Sequence, residues 1–276
     1  MIEKTSGSLP NSVPKILKGK LIDKVWFTPK IVRLKIANHD LANFSQPGQF
    51  VNVKVTDNYM PLLRRPFSIH GVNRQEKWFE ILLQVIGKGT ELLSKYQIGK
   101  DLDIFGPLGN SFSLPVRSNH AILIAGGLGI APLLFLAKEL THKNFSVTLF
   151  WGNKTKEAFC SLEDFEELGL CYFLATEDGS LGFEGKITEL VELKKENFQK
   201  SNSVIYACGP NPMLQKIKEF AHQSQIPCQV SLETIMACGF GVCLGCNVTS
   251  TNISEVYKYV CKDGPVFYSS EIDLSE

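Results

Sequence analysis

The sequence predicts a chain of three unlike parts: an antiparallel β-barrel, a parallel α/β sheet and a small cysteine-rich C-terminal module. Three observations carry this. Residues 15–114 hold short alternating runs separated by glycine and proline, the rhythm of a small barrel or sandwich. After Pro115 wholly apolar runs alternate with helix-period segments, which argues for a parallel sheet. The last forty residues break both rhythms and place Cys238, Cys243, Cys246 and Cys261 close together. The expected division is a polar, loosely held N-terminus at 1–14, a barrel at 15–117, an α/β domain at 118–234 and a module at 235–276.

In the first region the strand-like runs are 19–27, 31–36, 49–55, 78–85 and 101–105, with Pro47-Gly48, Gly87, Gly99 and Gly106-Pro107 between them. One helix is expected there, at 90–96. In the second region residues 121–125 form a short apolar strand of the type buried on both faces. Helix 132–141, strand 146–151, strand 171–176, helix 186–194, strand 203–208 and helix 212–223 follow, and strand 229–233 ends the series. The acidic run from Glu163 to Glu167 reads as a solvated helix face.

Length and charge narrow the functions available. A chain of 276 residues suggests about two domains of ordinary size. The formal charge is +1 with no long basic run, so neither nucleic acid nor an anionic membrane is the expected partner. The uncharged stretch 121–137 reaches the lower edge of membrane-span length. Gly126, Gly127, Gly129 and Pro132 at its centre favour strand, loop and helix instead. The N-terminus lacks an apolar signal-type core. Cys160, Cys171, Cys208 and Cys228 form no framework, so a reducing cytoplasm is expected.

The four C-terminal cysteines read C-x4-C-x2-C and then, after fourteen residues, a fourth cysteine. That is the ligand spacing of a plant-type [2Fe–2S] cluster. Gly239, Gly241 and Gly245 would let the loop curl so that backbone amides approach sulfur. A zinc knuckle, which usually shows two close pairs, and unrelated free thiols are the other readings.

Arg64-Arg65-Pro66-Phe67-Ser68 stands at an expected strand start. An arginine fork can hold a diphosphate, an aromatic ring can lie along a flavin, and a hydroxyl can bond the flavin's polar edge. A strand with an edge arginine reads the same. About twenty residues on, Gln84 to Thr90 is a glycine-rich turn entering a helix, either an anion site or an ordinary turn capped by Thr90. Gly126-Gly127-Leu128-Gly129 follows a buried strand and opens a helix, the right context for a pyrophosphate. Pro132 stands where the dinucleotide fingerprint needs glycine, and no acidic residue ends the next strand. Cys208-Gly209-Pro210 and Met213 end another strand, with a buried inert thiol as the plain alternative for Cys208. Glu177-Asp178-Gly179 ends a third, where carboxylates suit ribose hydroxyls. The five histidines show no metal or triad spacing, and there is no nucleophile elbow.

These motifs, in this order and at these separations, resemble the ferredoxin–NADP reductase superfamily. The cysteine loop followed by Cys261-Lys262-Asp263-Gly264-Pro265 is similar to the electron-transfer subunits of type B dihydroorotate dehydrogenases. The resemblance covers residues 15 to 267. It implies that Arg65, Pro66, Phe67, Ser68, Leu82, Leu83, Gln84, Gly89 and Thr90 hold FAD. It implies further that Gly126, Gly127, Gly129, Asp178, Cys208, Gly209, Pro210 and Met213 receive NAD, and that the four cysteines bind the cluster. Phe67 replaces a tyrosine common in the superfamily. Lys154 and Lys156 lie where a 2′-phosphate could be met, so NAD is favoured over NADP by the resemblance alone. Flavin suits the place between a one-electron cluster and a hydride carrier. The implied partner is an FMN-containing dihydroorotate dehydrogenase subunit, in a 2+2 heterotetramer, since no orotate site is visible here. The alternatives are a reductase or diaphorase subunit of another redox complex, of sulfhydrogenase or ferredoxin–NADP reductase type, and a zinc-stabilised binding protein.

Overall fold

The computed structural model describes residues 14–115, 118–198 and 202–274. Residues 1–13 of the expected loose N-terminus, and residue 117 at the expected domain boundary, lie outside them. Six strands close into a barrel: β1 (Lys15–Trp26), β2 (Ile31–Ala37), β3 (Phe50–Val53), β4 (Arg65–Asn73), β5 (Trp78–Gln84) and β6 (Asp101–Leu108). Their order round the barrel is β1-β2-β5-β4-β3-β6, every pair antiparallel. Alternation puts Val32, Leu34 and Ile36 of β2 inside with Val51 and Val53 of β3.

Two short helices join the strands. α1 (His39–Phe44) was not expected, being too short to show a helical period. Asn38 starts it by accepting the Leu41 N–H at 2.8 Å. α2 (Lys88–Ser94) begins earlier than the expected 90–96. Gly87 is its N-cap, and the Thr90 hydroxyl accepts the Ile86 and Gly87 N–H groups at 3.0 and 3.2 Å.

The second layer runs β7 (His120–Gly126), α3 (Ile130–His142), β8 (Ser146–Asn153), α4 (Leu162–Glu167), β9 (Cys171–Thr176) and β10 (Phe183–Glu184). It continues with α5 (Ile187–Leu193), β11 (Ser203–Cys208), α6 (Asn211–Ser224) and β12 (Cys228–Ser231). β7 lies inside the sheet, its residues 121–125 fully buried, because helices cover both faces. Among the described residues no helix is long and apolar enough to cross a membrane. The uncharged stretch 121–137 resolves into β7, a glycine turn and α3.

The C-terminal region adds β13 (Asn247–Thr249), β14 (Tyr257–Tyr259) and β15 (Val266–Tyr268). β15 pairs antiparallel with β12, so the sheet does not end at 229–233 but gains a seventh strand, in the order β10-β9-β8-β7-β11-β12-β15. Asn110, just past β6, secures this return. Its Nδ2 donates to Asp263 O and Val266 O at 2.8 and 2.9 Å, and its Oδ1 accepts from Val266 N at 3.0 Å.

Barrel and sheet meet along α3 and α4. Phe135 of α3 is buried among the barrel's interior side chains. Arg74 pairs with Glu139 at 2.6 Å. Arg33 of β2 pairs with Asp164 at 2.7 Å, so the acidic run is not wholly a solvated face: Asp164 braces the barrel while Glu163, Glu166 and Glu167 stay exposed. His70 of β4, fully buried, donates from Nδ1 to Ala131 O at 2.8 Å.

Burial pushes the His70 imidazole down to about 4, against the pull of its Ala131 hydrogen bond. An unfolded chain therefore binds a proton below pH ~6.5 that the folded chain refuses until about pH 4. Stability contributed by neutral His70 is complete above that window and falls as pH drops through it, by about 3 kcal/mol in all. Urea unfolding of the native chain and of His70→Gln at pH 7 and pH 4.5 should show a smaller acid loss in the variant.

Candidate cofactor clefts and cysteine loop

Two neighbouring clefts of about 570 Å³ each lie between barrel and sheet. The first is walled by the barrel's outer surface. Arg65, Pro66, Phe67 and Ser68 of β4, Leu82, Leu83 and Gln84 of β5, and Thr90 all line it. Gly89 lies behind them. A Cβ there would sit 2.7 Å from Arg65 Nε, so glycine makes room for the guanidinium. Arg65 turns a nitrogen to Leu63 O at 2.6 Å, whereas Arg64 points away to Asp103 at 2.8 Å. An apolar slot with an arginine and hydroxyls at its edges fits a flat ring carrying a diphosphate tail.

The second cleft opens at the switch point of the sheet, where β8 lies on one side of β7 and β11 on the other. Gly126, Gly127, Pro210 and Met213 line it. A Cβ on Gly126 would come within 2.6 Å of Met213 Sδ, and one on Gly129 within 2.1 Å of Cys208 O. A Cβ on Gly209 would lie 3.0 Å from Gly126 N. These three glycines let the loops after β7 and β11 pack on each other. Gly127, with φ +55° and open space beyond, presents bare backbone. Cys208 is fully buried outside the lining, and burial raises its thiol well above the ordinary range. Asp178 also lies outside, its carboxylate accepting from Ser180 N at 3.0 Å and Ser180 Oγ at 2.6 Å. Glu177 lines the cleft instead, together with Lys154, Lys186 and Lys216. Lys156 opens the turn after β8, its backbone N–H bonded to Ser180 Oγ at 2.9 Å.

The cysteine loop sits on the barrel. Cys246 and Cys261 are buried with their sulfurs 3.2 Å apart, while Cys238 is half-buried and Cys243 exposed. Backbone N–H groups aim at the sulfurs: Phe240 and Cys243 at Cys238 (3.5 and 3.4 Å), Gly241 at Cys261 (3.1 Å), and Cys261 at Cys246 (3.4 Å). Burial works to raise the Cys238 thiol, but the N–H groups of Cys243, Phe240 and Val242 outweigh it and bring the thiol down to about 6. Burial, then the Cys246 sulfur, pushes Cys261 up to about 12. Among the described residues no three His, Cys, Asp or Glu side chains gather as ligands of one ion. A two-iron cluster spreads four thiolates over two metals, and sulfurs ringed by amide donors suit that ligand set. Gly239 and Gly241 take φ of +77° and +85° as expected, but Leu244 (φ +58°), not Gly245, makes the remaining left-handed turn.

Sequence reasoning missed the far wall of the first cleft. Glu233, Thr234, Ile235 and Met236, with Pro265, close it from the C-terminal region. Burial raises the Glu233 carboxyl above its usual range. Residues 233–236 precede the cysteine loop in sequence, but only the return of β15 carries them to the barrel. Gln84 and Leu128 line both clefts and are the wall between them.

Residues 233–273 match the model of the iron-sulfur cluster binding domain of dihydroorotate dehydrogenase B, and 123–219 that of the oxidoreductase NAD-binding domain. The "Dihydroorotate dehydrogenase B (NAD(+)), electron transfer subunit" of Desulforamulus reducens is 36% identical over 259 residues, 94% of this chain and 98% of that relative. The protein of the same description from a Geobacillus species is 39% identical over 246 residues, 88% and 93% of the two chains. Among solved structures, one from the NADH-dependent reduced ferredoxin-NADP oxidoreductase aligns with TM-score 0.82 and 28% identity, over 93% of this chain and 90% of that one. The ferredoxin reductase of carbazole 1,9a-dioxygenase (TM-score 0.68, 21% identity, 79% and 68% covered) shares the fold. Barrel, switch-point sheet and cysteine loop thus define an oxidoreductase of the ferredoxin-reductase fold with an iron–sulfur domain. Within that class, the chain belongs to the electron transfer subunits of dihydroorotate dehydrogenase B (NAD(+)).

Outside the quartet, Cys160, Cys208 and Cys228 are buried and Cys171 is exposed. Iodoacetamide should label Cys171 under native conditions and leave the other three untouched until urea is added, as peptide mass spectrometry would read.

Proposed function

We propose that this chain relays electrons from dihydroorotate, oxidised on an FMN-containing partner subunit, to NAD+ in pyrimidine biosynthesis, with FAD and a [2Fe–2S] cluster as resident cofactors. The supporting observation is contiguity. The two clefts share Gln84 and Leu128, and the cysteine loop lies on the same outer barrel face as the first cleft. When bound, FAD exchanges a hydride with nicotinamide and single electrons with an iron–sulfur cluster.

Each site has its residues. Pro66, Phe67, Leu82 and Leu83 give the flavin ring an apolar bed. Ser68, Gln84 and Thr90 meet its polar edge, and Arg65, given room by Gly89, holds the diphosphate. Gly127 and the Pro210–Met213 turn receive the dinucleotide. Gly126, Gly129, Cys208 and Gly209 shape that cleft from behind, and Glu177, rather than Asp178, faces the ribose. Cys238, Cys243, Cys246 and Cys261 hold the cluster. The barrel (15–117), α/β (118–234) and C-terminal (235–276) parts are the FAD, NAD and cluster regions.

A partner surface lies beside these sites. Leu63, Ile86 and Ile235 line the mouth of the first cleft yet are 46%, 81% and 90% exposed. Phe240, Val242 and Leu244 of the cysteine loop are also exposed. Apolar side chains grouped round a cleft mark a docking face. The catalytic subunit docks there, in a 2+2 heterotetramer. A second reading, a subunit of another redox complex, draws on the likeness to the ferredoxin-NADP oxidoreductase. The protein that co-purifies from the native source decides between them.

Purified alone, the chain should reduce dyes with NADH and form no orotate from dihydroorotate. Substantial orotate formation would refute the division of labour. Cys243→Ser should abolish the cluster's absorbance and iron content while flavin stays bound, and full iron retention would show that the ligand set is wrong.

A further inference from the structure

Asn52 stands between the first cleft and the cysteine loop, on a barrel strand whose neighbours reach both. In β3, Val51 and Val53 point into the barrel, so Phe50 and Asn52 point out. Phe50 lines the first cleft, and Asn52 is paired across the ladder with Pro66 of β4, which also lines it. On its other side Asn52 neighbours Phe105 of β6, whose ring meets Phe240 of the cysteine loop edge-on at 5.6 Å. The Asn52 side chain is buried, and its Nδ2 donates to the carbonyl of Cys238 at 3.3 Å.

The contact is close from both sides. A Cβ on Gly239 would fall 1.9 Å from Asn52 Nδ2, so the loop reaches this amide only because residue 239 has no side chain. Asn52 Oδ1 is buried without a hydrogen-bond partner. A buried acceptor left unpaired disfavours the fold, and a leucine of similar size would carry no such penalty. Packing therefore does not account for an amide here, whereas its donor half grips the backbone of a cluster ligand.

We infer that Asn52 is a positioning residue for electron transfer, fixing the Cys238 side of the cluster loop against β3, the strand paired with the one that carries Pro66 and Phe67 of the flavin bed. The pair Pro66–Asn52 and the hydrogen bond to Cys238 make a short bridge between the two sites. Outer-sphere contacts of this kind orient a ligand and tune the metal it holds. The inference rests on the flavin and cluster reading above.

The test uses the full chain carrying both cofactors, with Asn52→Leu, Asn52→Asp and Gly239→Ala, the last pushing the loop off the amide from the opposite side. Four readouts are taken: thermal midpoint, iron release to a chelator, the cluster's midpoint potential, and cluster reduction after mixing with NADH, by freeze-quench electron paramagnetic resonance against flavin bleaching. Asn52→Leu should melt no lower than the parent, yet release iron faster and reduce its cluster about tenfold or more slowly relative to flavin. Gly239→Ala should show the same lag. Asn52→Asp, with a carboxylate beside the ligand, should shift the cluster potential negative. Parent-like iron release and cluster reduction in all three variants would overturn the inference. So would an Asn52→Leu chain whose slower transfer merely tracks a lower melting point. A parent chain lacking iron or flavin would instead sink the underlying functional reading.

Discussion

The grip of Asn110 on the C-terminal segment is the constraint from which the rest of the architecture follows. One side chain makes three hydrogen bonds to backbone more than 150 residues away, and its own N–H donates to Gly264 O at 2.7 Å. Each such bond is worth only about 1 kcal/mol net. Their value is directional, because together they set the path of residues 263–266. With that path set, β15 can pair with β12 and Leu232 N can reach Pro265 O at 2.9 Å. The segment 233–236 then becomes the far wall of the first cleft, and the cysteine loop comes to rest on β3 and β6. Gly48 and Gly109 permit the approach, since a Cβ on either would collide with Val266 or Pro265.

The result is a molecule whose two clefts share a wall and whose cysteine loop rests on the barrel beside them. Leu128, in the turn after β7, faces the flavin-type cleft on one side and the dinucleotide-type cleft on the other. Trp151 of β8 supports that turn, its indole N–H donating to Gly127 O at 2.9 Å. Electrostatics divides along the same lines. The second cleft carries Lys154, Lys186 and Lys216 against Glu177, a surface for a doubly charged pyrophosphate. The cysteine loop instead offers sulfur a set of neutral amide dipoles, which stabilise thiolate charge.

Much of this was legible in the sequence, and the pattern of what was not is physical. Strands β7, β9 and β11 stood out because continuous apolar runs have few other uses. The motif glycines at 126, 127 and 129 marked the switch-point turn, although Gly126 and Gly129 serve loop packing. Local pattern could not show β15, three residues whose partner strand lies far back in the chain. Nor could it separate Glu177 from Asp178, because a turn closed by Ser180 decides which carboxylate faces outward. Asn52 looks like any polar residue in an alternating strand. Its importance depends on a glycine 187 positions later in the same chain.

The placement of Phe135 bears on how proteins of this architecture can be taken apart. Its ring belongs to an α3 helix that starts at the dinucleotide turn, yet it is buried in the hydrophobic cluster of the barrel. A fragment cut at the sequence boundary near residue 117 would keep all six barrel strands but lose the aromatic ring that α3 adds to their buried cluster. Exchange of halves between relatives would have to carry the helix along with the barrel, so the natural seam for recombination runs after His142.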